Sequence, residues 1–559
     1  MTARGKIVLT LLVLMLGVGT WLWWQRVSSG EGVGFARPGG PRTAPPTTPG
    51  PAPAPAPTNG AVYVETQFEG PQIAPPGVYQ PKGDTIEIEL SEYAGYAGFI
   101  VANGGLAANT NSMFFKKSGF QVKLSLSEEE SWSALNSGKM AASATTVDVL
   151  AVHGRPFRVV VPAQIGYSRG ADGVVVRSEY KRINHLQGKI LATSQFTEAD
   201  FFIRYLAQEA GLPVNMLPNI DGKPDPDKLN LVYCKDAFAA GDAFLADLPG
   251  KKLAGCVTWA PKTTEVSEKS GGKAQILATS RNLLIVADIL IVNQGFADQH
   301  PEWVAGLVNG LLEGNRLVRE NPGAYLDIIA KAFGWDREKA KAELEKVHLS
   351  NLPENLAFFG GNISAAGSFG GIFQSAVFAY GAELIKDPVD GDRFVDLKPL
   401  KALEQAGAFK GQTIAIAPIR TAAQGSLEGS PLLSKNIRFL FPQNSNELDT
   451  NSPDTVKNLE AIQNLLQVSP GSSVLLRGHV DNSKVEEFRK SGGEAYVRTM
   501  ALRAVELSKK RALEVKSQLV KKYGLNPERV DVLGRGWEEP LSGDAEQNRR
   551  VEAQWFTVE

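Results

Sequence analysis

Cysteine is almost absent from this chain: Cys234 and Cys256 are the only two in 559 residues. So small a number excludes a disulfide framework and any multi-cysteine zinc or iron–sulfur site. Histidine is nearly as scarce, and the five at 153, 185, 300, 348 and 479 are too dispersed to suggest a metal centre. No phosphate-binding P-loop, HExxH or GxSxG motif occurs. We therefore expect no catalysis, no cofactor and no resident metal. An excess of either charge is missing as well, since 59 Lys and Arg face 60 Asp and Glu for a formal net charge of −1. That balance excludes a nucleic-acid binder relying on a broad basic surface. What is present is 43% hydrophobic residues, enough to bury sizeable cores. The length is a prior for about three to five globular units.

One long hydrophobic run opens the chain: IVLTLLVLMLGVGTWLWW, Ile7 to Trp24, carries no charge. As a helix it would be about 27 Å long, close to the roughly 30 Å of a hydrocarbon core. Arg4 and Lys6 precede it, and Trp21, Trp23 and Trp24 gather at its far end, where indoles favour the membrane interface. A cleaved secretory signal would have a shorter apolar core and a small-residue cleavage site, and no Ala-x-Ala follows directly here. Residues 1–27 are thus expected to be an uncleaved single-pass anchor with a cytoplasmic N-terminus, although Arg26 weakens the charge asymmetry. From Pro38 to Gly60 the chain is rich in Pro, Gly and alternating Pro-Ala. Such a tract favours extended polyproline II, and residues 28–83 read as a tether able to reach about 150 Å when stretched.

Residues 84–400 alternate short apolar runs with helical segments. Ile86–Leu90, Arg158–Ala163, Gly173–Ser178, Lys189–Ser194, Leu229–Cys234 and Leu253–Trp259 read as strands, while Ala199–Ala210 and Pro301–Glu320 read as helices. Alternation of this kind predicts α/β layers with parallel strands and a ligand site beyond their carboxyl ends. Thr193 and Ser194 end one strand before a helix whose capping box would be Thr197-x-x-Asp200. Thr145 and Thr146 end another before the helix-like VDVLAV. Hydroxyls and backbone N–H groups at a helix start suit a small anion. Tyr96 and Trp259 are candidate pocket walls. Asp288, inside an otherwise apolar strand, is a candidate acceptor for a ligand donor. Each of these also has a plain structural reading, as a helix cap or as core packing. Two crossings between lobes are expected, near Gly166–Gly173 and near Asp288–Gln294, giving a hinge.

Five segments in order resemble the type 2 periplasmic solute-binding proteins of the nitrate/sulfonate/taurine branch, which serve ABC transporters. They are SEYAGYAG (Ser91–Gly98), EEESWSALNSGKMAASATTVDVL (Glu128–Leu150), INHLQGKILATS (Ile183–Ser194), CVTWAP (Cys256–Pro261) and ADILIVNQGFADQHPEWV (Ala287–Val304). The resemblance implies a two-lobed fold, a small anionic or zwitterionic solute and a possible ABC permease partner. Two departures touch the ligand: Lys139-Met140-Ala141 stands where the family usually has an acidic residue, and Ala237–Lys252 is longer than the pattern.

Residues 401–435 read as a linker, and 436–559 as an α+β domain with strands at Ile437–Phe441, Ser473–Val480, Arg529–Gly536 and Val551–Val558. Its helices are expected at Asn458–Leu466 and Ala495–Tyr523. FLFPQNSNELD, GHVDN, LSKKRALEVKSQL, GRGWEEP and NRRVE follow one another as in the OmpA-like peptidoglycan-binding family. That resemblance implies attachment to the diaminopimelate side chain of peptidoglycan, with Asp481 pairing with its ammonium and Arg511 with its carboxylate. Asn548 and Arg549 are the expected supports of the loop, with Arg550 structural or exposed. Guanidinium suits the carboxylate because its planar fork meets it bidentately. Arg511 also lies four positions from both Leu507 and Val515, on a face where packing is expected. Val480 replaces the usual Thr, and Arg511 follows Asp481 by thirty positions, about twice the usual spacing. The extra segment would lengthen the helix backwards or form a flap.

The reading is a bacterial inner-membrane protein whose bulk lies in the periplasm, coupling a solute-binding domain to the cell wall. The alternative is a structural or interaction protein in which the binding-protein-like domain docks a transporter, stator or stress-response complex and binds no solute.

Overall fold

The computed structural model describes residues 62–128, 131–360, 367–416, 433–468 and 472–557. The anchor expected over residues 7–24 lies outside the described residues. Among the described residues no helix is long and apolar enough to cross a membrane.

The chain first lays down β1 (Thr85–Leu90), β2 (Gln121–Leu126), β3 (Ala142–Thr146) and β4 (Val159–Ser168). It then crosses to a second lobe for β5 (Gly173–Arg177), β6 (Ile190–Ser194), β7 (Val214–Met216), β8 (Leu229–Cys234), β9 (Gly255–Thr258) and β10 (Ala274–Thr279). It returns for β11 (Ala287–Asn293) and β12 (Val347–Leu349). The first lobe is a six-stranded sheet of order β12-β4-β11-β3-β1-β2, and the second has the order β10-β5-β9-β6-β8-β7. Parallel pairs such as β1–β2 and β6–β8 match the α/β expectation. The strands at the crossings do not: β11 runs antiparallel to β3 and β4, and β5 antiparallel to β9.

Strands β3, β8 and β11 are buried along their whole length. Central strands covered on both faces need unbroken apolar or small-residue runs, which ASATT, LNLVYC and ADILIVN supply. The first crossing lies between β4 and β5, where Gly166–Gly173 was expected. The second lies at residues 280–286, not at Asp288–Gln294. The run ADILIVN is so apolar that it is taken into the sheet, and the chain crosses just before it. Cys234 and Cys256 are buried free thiols on β8 and β9, which β6 separates.

The tether ends earlier than residue 83. Val64 N–H donates to Tyr233 O (3.0 Å) and Thr66 N–H to Pro218 O (3.2 Å) on the second lobe. Gly77 N–H then donates to Asn136 O (2.8 Å) and Tyr79 N–H to Asn293 Oδ1 (3.2 Å) on the first. Residues 401–416, expected as linker, likewise belong to the first lobe. They continue the helix Lys398–Gln405, and Glu354 accepts from Ala415 N–H at 2.9 Å.

The C-terminal module is a four-stranded sheet of β13 (Leu433–Leu440), β14 (Ser472–Gly478), β15 (Val530–Gly534) and β16 (Arg550–Thr557), in the order β13-β16-β14-β15. Two long helices, Pro453–Val468 and Val485–Tyr523, and the single turn Ala545–Asn548 accompany it. Ala504, Ser508, Arg511, Ala512, Val515 and Leu519 form the buried stripe of the longer one, at the three- and four-residue spacing of an amphipathic helix. The extra segment lengthens that helix backwards, with a break at Gly492–Gly493 where Gly493 adopts φ 63°, ψ −167°. That conformation is open to glycine alone among common residues. Phe488, ahead of the break, packs against Trp537 with ring centroids 6.1 Å apart.

Candidate functional site

A cavity lies at the junction of the two lobes, lined by Ser91, Tyr93, Tyr96, Thr145, Thr146, Asp172, Glu198, Trp259, Val286 and Asp288. Local structure explains why these side chains meet. Tyr93 and Tyr96 sit in the short turn that follows β1 and opens the helix Ala97–Asn103. Thr145 and Thr146 end β3, and the antiparallel register places Asp288 of β11 opposite Thr146. Asp172 belongs to the first crossing and Val286 to the second. Glu198 is the first residue of the helix Glu198–Glu209, and Trp259 follows β9 directly. Both lobes and both crossings therefore contribute to one small volume, which leaves the centre of a water molecule about 20 Å³.

The chemistry of the lining is acidic and aromatic. Tyr93 Oη donates to Asp288 Oδ2 at 3.2 Å, and the Tyr93 and Tyr96 rings meet edge to face at 5.1 Å. Burial, with the Asp172 charge adding to it, holds the Asp288 carboxyl well above the usual carboxylate range. Burial pushes Asp172 up to about 6. Burial also raises the Tyr93 hydroxyl, and Asp288 adds to the effect. Thr145 Oγ1, Asp172 Oδ1 and Trp259 Nε1 are buried in this lining with no hydrogen-bond partner among the described residues. Groups of this kind are rare in folded proteins and expensive to leave unmet.

Of the seven sequence-predicted residues, Tyr96, Thr145, Thr146, Trp259 and Asp288 line this cavity. Thr193 and Ser194 do not. The Thr193 hydroxyl donates to Val257 O at 3.4 Å inside the sheet. Ser194 lines a separate cleft with Gln67, Trp132 and His153. The expected capping box also differs, because Asp200 is drawn into an ion pair with Arg204 (2.8 Å) and accepts from Phe196 N–H at 3.2 Å. Among the described residues no Lys, Arg or His lines the cavity, so the expected anion would meet as donors only hydroxyls, backbone N–H groups and the Trp259 indole there. Sequence reasoning missed Tyr93, Asp172 and Glu198. Tyr93 lay inside the quoted SEYAGYAG and Asp172 inside the expected crossing, so an aromatic and an acid at those points were the available signals.

In the C-terminal module Asp481, Arg511 and Arg549 come together. Arg549 Nη1 is 3.8 Å from Asp481 Oδ2. Arg511 is fully buried and donates through Nε to Ser445 O (2.8 Å), through Nη1 to His479 O (2.9 Å) and through Nη2 to Pro442 O (2.9 Å). Burial and the nearby Arg549 lower it to about 10, and Asp481 opposes them. Asn548 folds its own loop. Its Oδ1 accepts from Leu541 N–H at 2.7 Å, and its Nδ2 donates to Ser542 O at 2.8 Å. Arg550 is buried and donates through Nε to Glu552 Oε1 at 2.7 Å.

Strand order and cavity together define a two-lobed binding-protein-type domain followed by an α+β module. Residues 440–554 of that module match the OmpA family. No curated protein matches the sequence. Among solved structures, the periplasmic aliphatic sulphonate binding protein SsuA from Escherichia coli is similar at 14% identity and a TM-score of 0.42, over 57% of this chain and 99% of its own. The alkanesulfonate-binding protein SsuA from Xanthomonas axonopodis pv. citri, bound to MOPS, is similar at 13% identity and a TM-score of 0.43, over 57% of this chain and 99% of its own. The periplasmic nitrate-binding protein NrtA from Synechocystis PCC 6803 is similar at 14% identity and a TM-score of 0.41, over 59% of this chain and 90% of its own.

Proposed function

We propose that this chain is a non-catalytic envelope protein that couples capture of a small solute to non-covalent attachment to peptidoglycan. The solute half is carried by one observation: residues from both lobes close on a cavity in which Thr145 Oγ1, Asp172 Oδ1 and Trp259 Nε1 are buried with no hydrogen-bond partner among the described residues. A site shared by two lobes is what hinge closure on a ligand requires. The wall half is supported by the OmpA-family match and by the cluster of Asp481 with Arg549 and Arg511. The apolar run at residues 7–24 supports an inner-membrane anchor with the folded domains in the periplasm. The proline-rich tract would then set the reach between membrane and wall, and so the effective concentration of the module at its target. An ABC permease remains a candidate recipient of the solute.

Co-sedimentation with purified peptidoglycan tests the wall half. Asp481→Asn removes the anion that would hold the diaminopimelate ammonium, and it leaves the carbonyl contacts of Arg511 in place. We expect at least tenfold weaker co-sedimentation by the variant with an unchanged melting temperature. Equal binding by the two proteins would refute the assignment of Asp481.

A further inference from the structure

The lobe-junction cavity carries a more specific reading, which rests on the solute-binding proposal above. Three of its lining residues, Asp172, Glu198 and Asp288, are acids, and among the described residues no basic side chain lines the cavity. The buried Arg204, on the same helix as Glu198, is already engaged by Asp200 at 2.8 Å and by Tyr233 at 2.7 Å. Carboxylates grouped in a buried site without a cation repel one another and lose hydration, so a positive ligand relieves both penalties.

Two further observations point the same way and add detail. Among the described residues, Asp172 Oδ1 is a buried acceptor with no donor, whereas Trp259 Nε1–H is a buried donor with no acceptor. An indole nitrogen can only donate. A ligand meeting both must therefore carry a donor and an acceptor. The walls between them are aromatic: Tyr93 and Tyr96 on one lobe and Trp259 on the other, with Phe238 behind Trp259 at 5.6 Å. Ring faces attract cations and tolerate the methylenes or methyls beside them. A divalent metal fits less well, because hard cations take six or more oxygens and an indole N–H offers none.

We propose that the cavity takes a small organic ammonium carrying an oxygen acceptor, with its cation held by Asp288 and Asp172 and its oxygen accepting from the Trp259 indole. Tyr93, by donating to Asp288, turns that carboxyl toward the cavity as an acceptor. The small volume admits a compact head group, and separation of the lobes at the two crossings admits anything longer.

Isothermal titration of the full-length protein with ethanolammonium, ethylammonium, methanesulfonate, nitrate and calcium tests this. Ethanolammonium is expected to bind, and ethylammonium, lacking the hydroxyl, to bind about tenfold more weakly, the scale of one lost buried hydrogen bond. Trp259→Phe should abolish that difference while keeping the aromatic wall. Asp288→Asn should weaken both ammonium ions by tenfold or more, with melting temperature checking its fold. Binding of methanesulfonate or nitrate without the ammonium ions overturns the charge assignment and leaves the solute-binding proposal standing. Binding of calcium alone overturns the organic cation. No binding by any of the five at millimolar concentration overturns both proposals, and favours a domain that docks another protein.

Discussion

Arg511 donates to three backbone carbonyls drawn from two loops, those of Pro442, Ser445 and His479, and its guanidinium lies over the Phe441 ring at 5.4 Å. A fork of fixed N–H directions can serve three carbonyls at once, and an ammonium cannot. Arg511→Lys is therefore expected to destabilise the C-terminal module by about 2–4 kcal/mol, since it leaves buried carbonyls unmet and a buried charge poorly paired. Chemical denaturation of the full chain measures it, and a loss under about 1 kcal/mol would place Arg511 on the ligand rather than on the loops. The helical spacing made Arg511 legible as a buried residue in need of a partner. The sequence could not say that the partners include backbone carbonyls, because a carbonyl has no letter of its own. Asp288 was legible for the same reason as Arg511, as a charge in an apolar run. Thr193 misled because a strand-end hydroxyl looks the same in sequence whether it faces a cleft or the neighbouring strand.

The elements that were legible are those whose burial leaves a run of apolar or small residues, such as β6, β8 and the helix Pro301–Glu320. Those that were not are held by backbone hydrogen bonds, which print no pattern. The clearest case is the run from residue 62 to residue 83, polar and proline-containing yet bonded to both lobes. The helix Pro301–Glu320 also shows what a composition count hides. It packs against Ala97–Asn103 so closely that a Cβ on Gly314 would stand 2.0 Å from Gly98 O, and against the helix Met113–Ser118 so closely that one on Gly310 would stand 2.3 Å from the Phe114 ring. Gly314→Val must push the two helices apart, because the obstacle is backbone and not a flexible side chain. We expect a loss of about 2–4 kcal/mol, at or above the usual range for overpacking. Gly371→Ala, at a helical position where a Cβ would have ordinary room apart from a 3.1 Å approach to the Ser368 hydroxyl, is expected to change stability by under about 1 kcal/mol. Thermal melts of the two variants compare directly, and equal effects would contradict the close-contact account.

The near-zero charge of the whole molecule averages over two domains whose buried carboxyls are placed in opposite ways. In the C-terminal module, burial would raise the Glu552 carboxyl, but His479 and Arg550 outweigh it and hold it at about 2. An unfolded glutamate titrates near about 4.3, so the unfolded chain binds more protons between those values. That contribution is present above about pH 4.3 and is lost as pH falls toward 2. In the binding domain, burial raises Asp148 to about 7, with Asp172 and Asp200 adding to it, and burial raises Asp172 to about 6. Unfolded aspartates titrate near about 3.9, so here the folded state binds more protons, and stability is present below that value and lost as pH rises through 6 and 7. The two domains should thus respond to pH with opposite signs in adjacent windows. Calorimetry of the full chain is expected to show Glu552→Gln flattening the acid side of the stability profile, and Asp148→Asn flattening the fall between about pH 4 and 7. If the proposed ammonium binds, its presence should remove part of that second fall in the unsubstituted protein, because a cation beside Asp172 and Asp288 favours their charged forms. Two variants that shift the same limb would show that the buried carboxyls are not what sets the pH response of either domain.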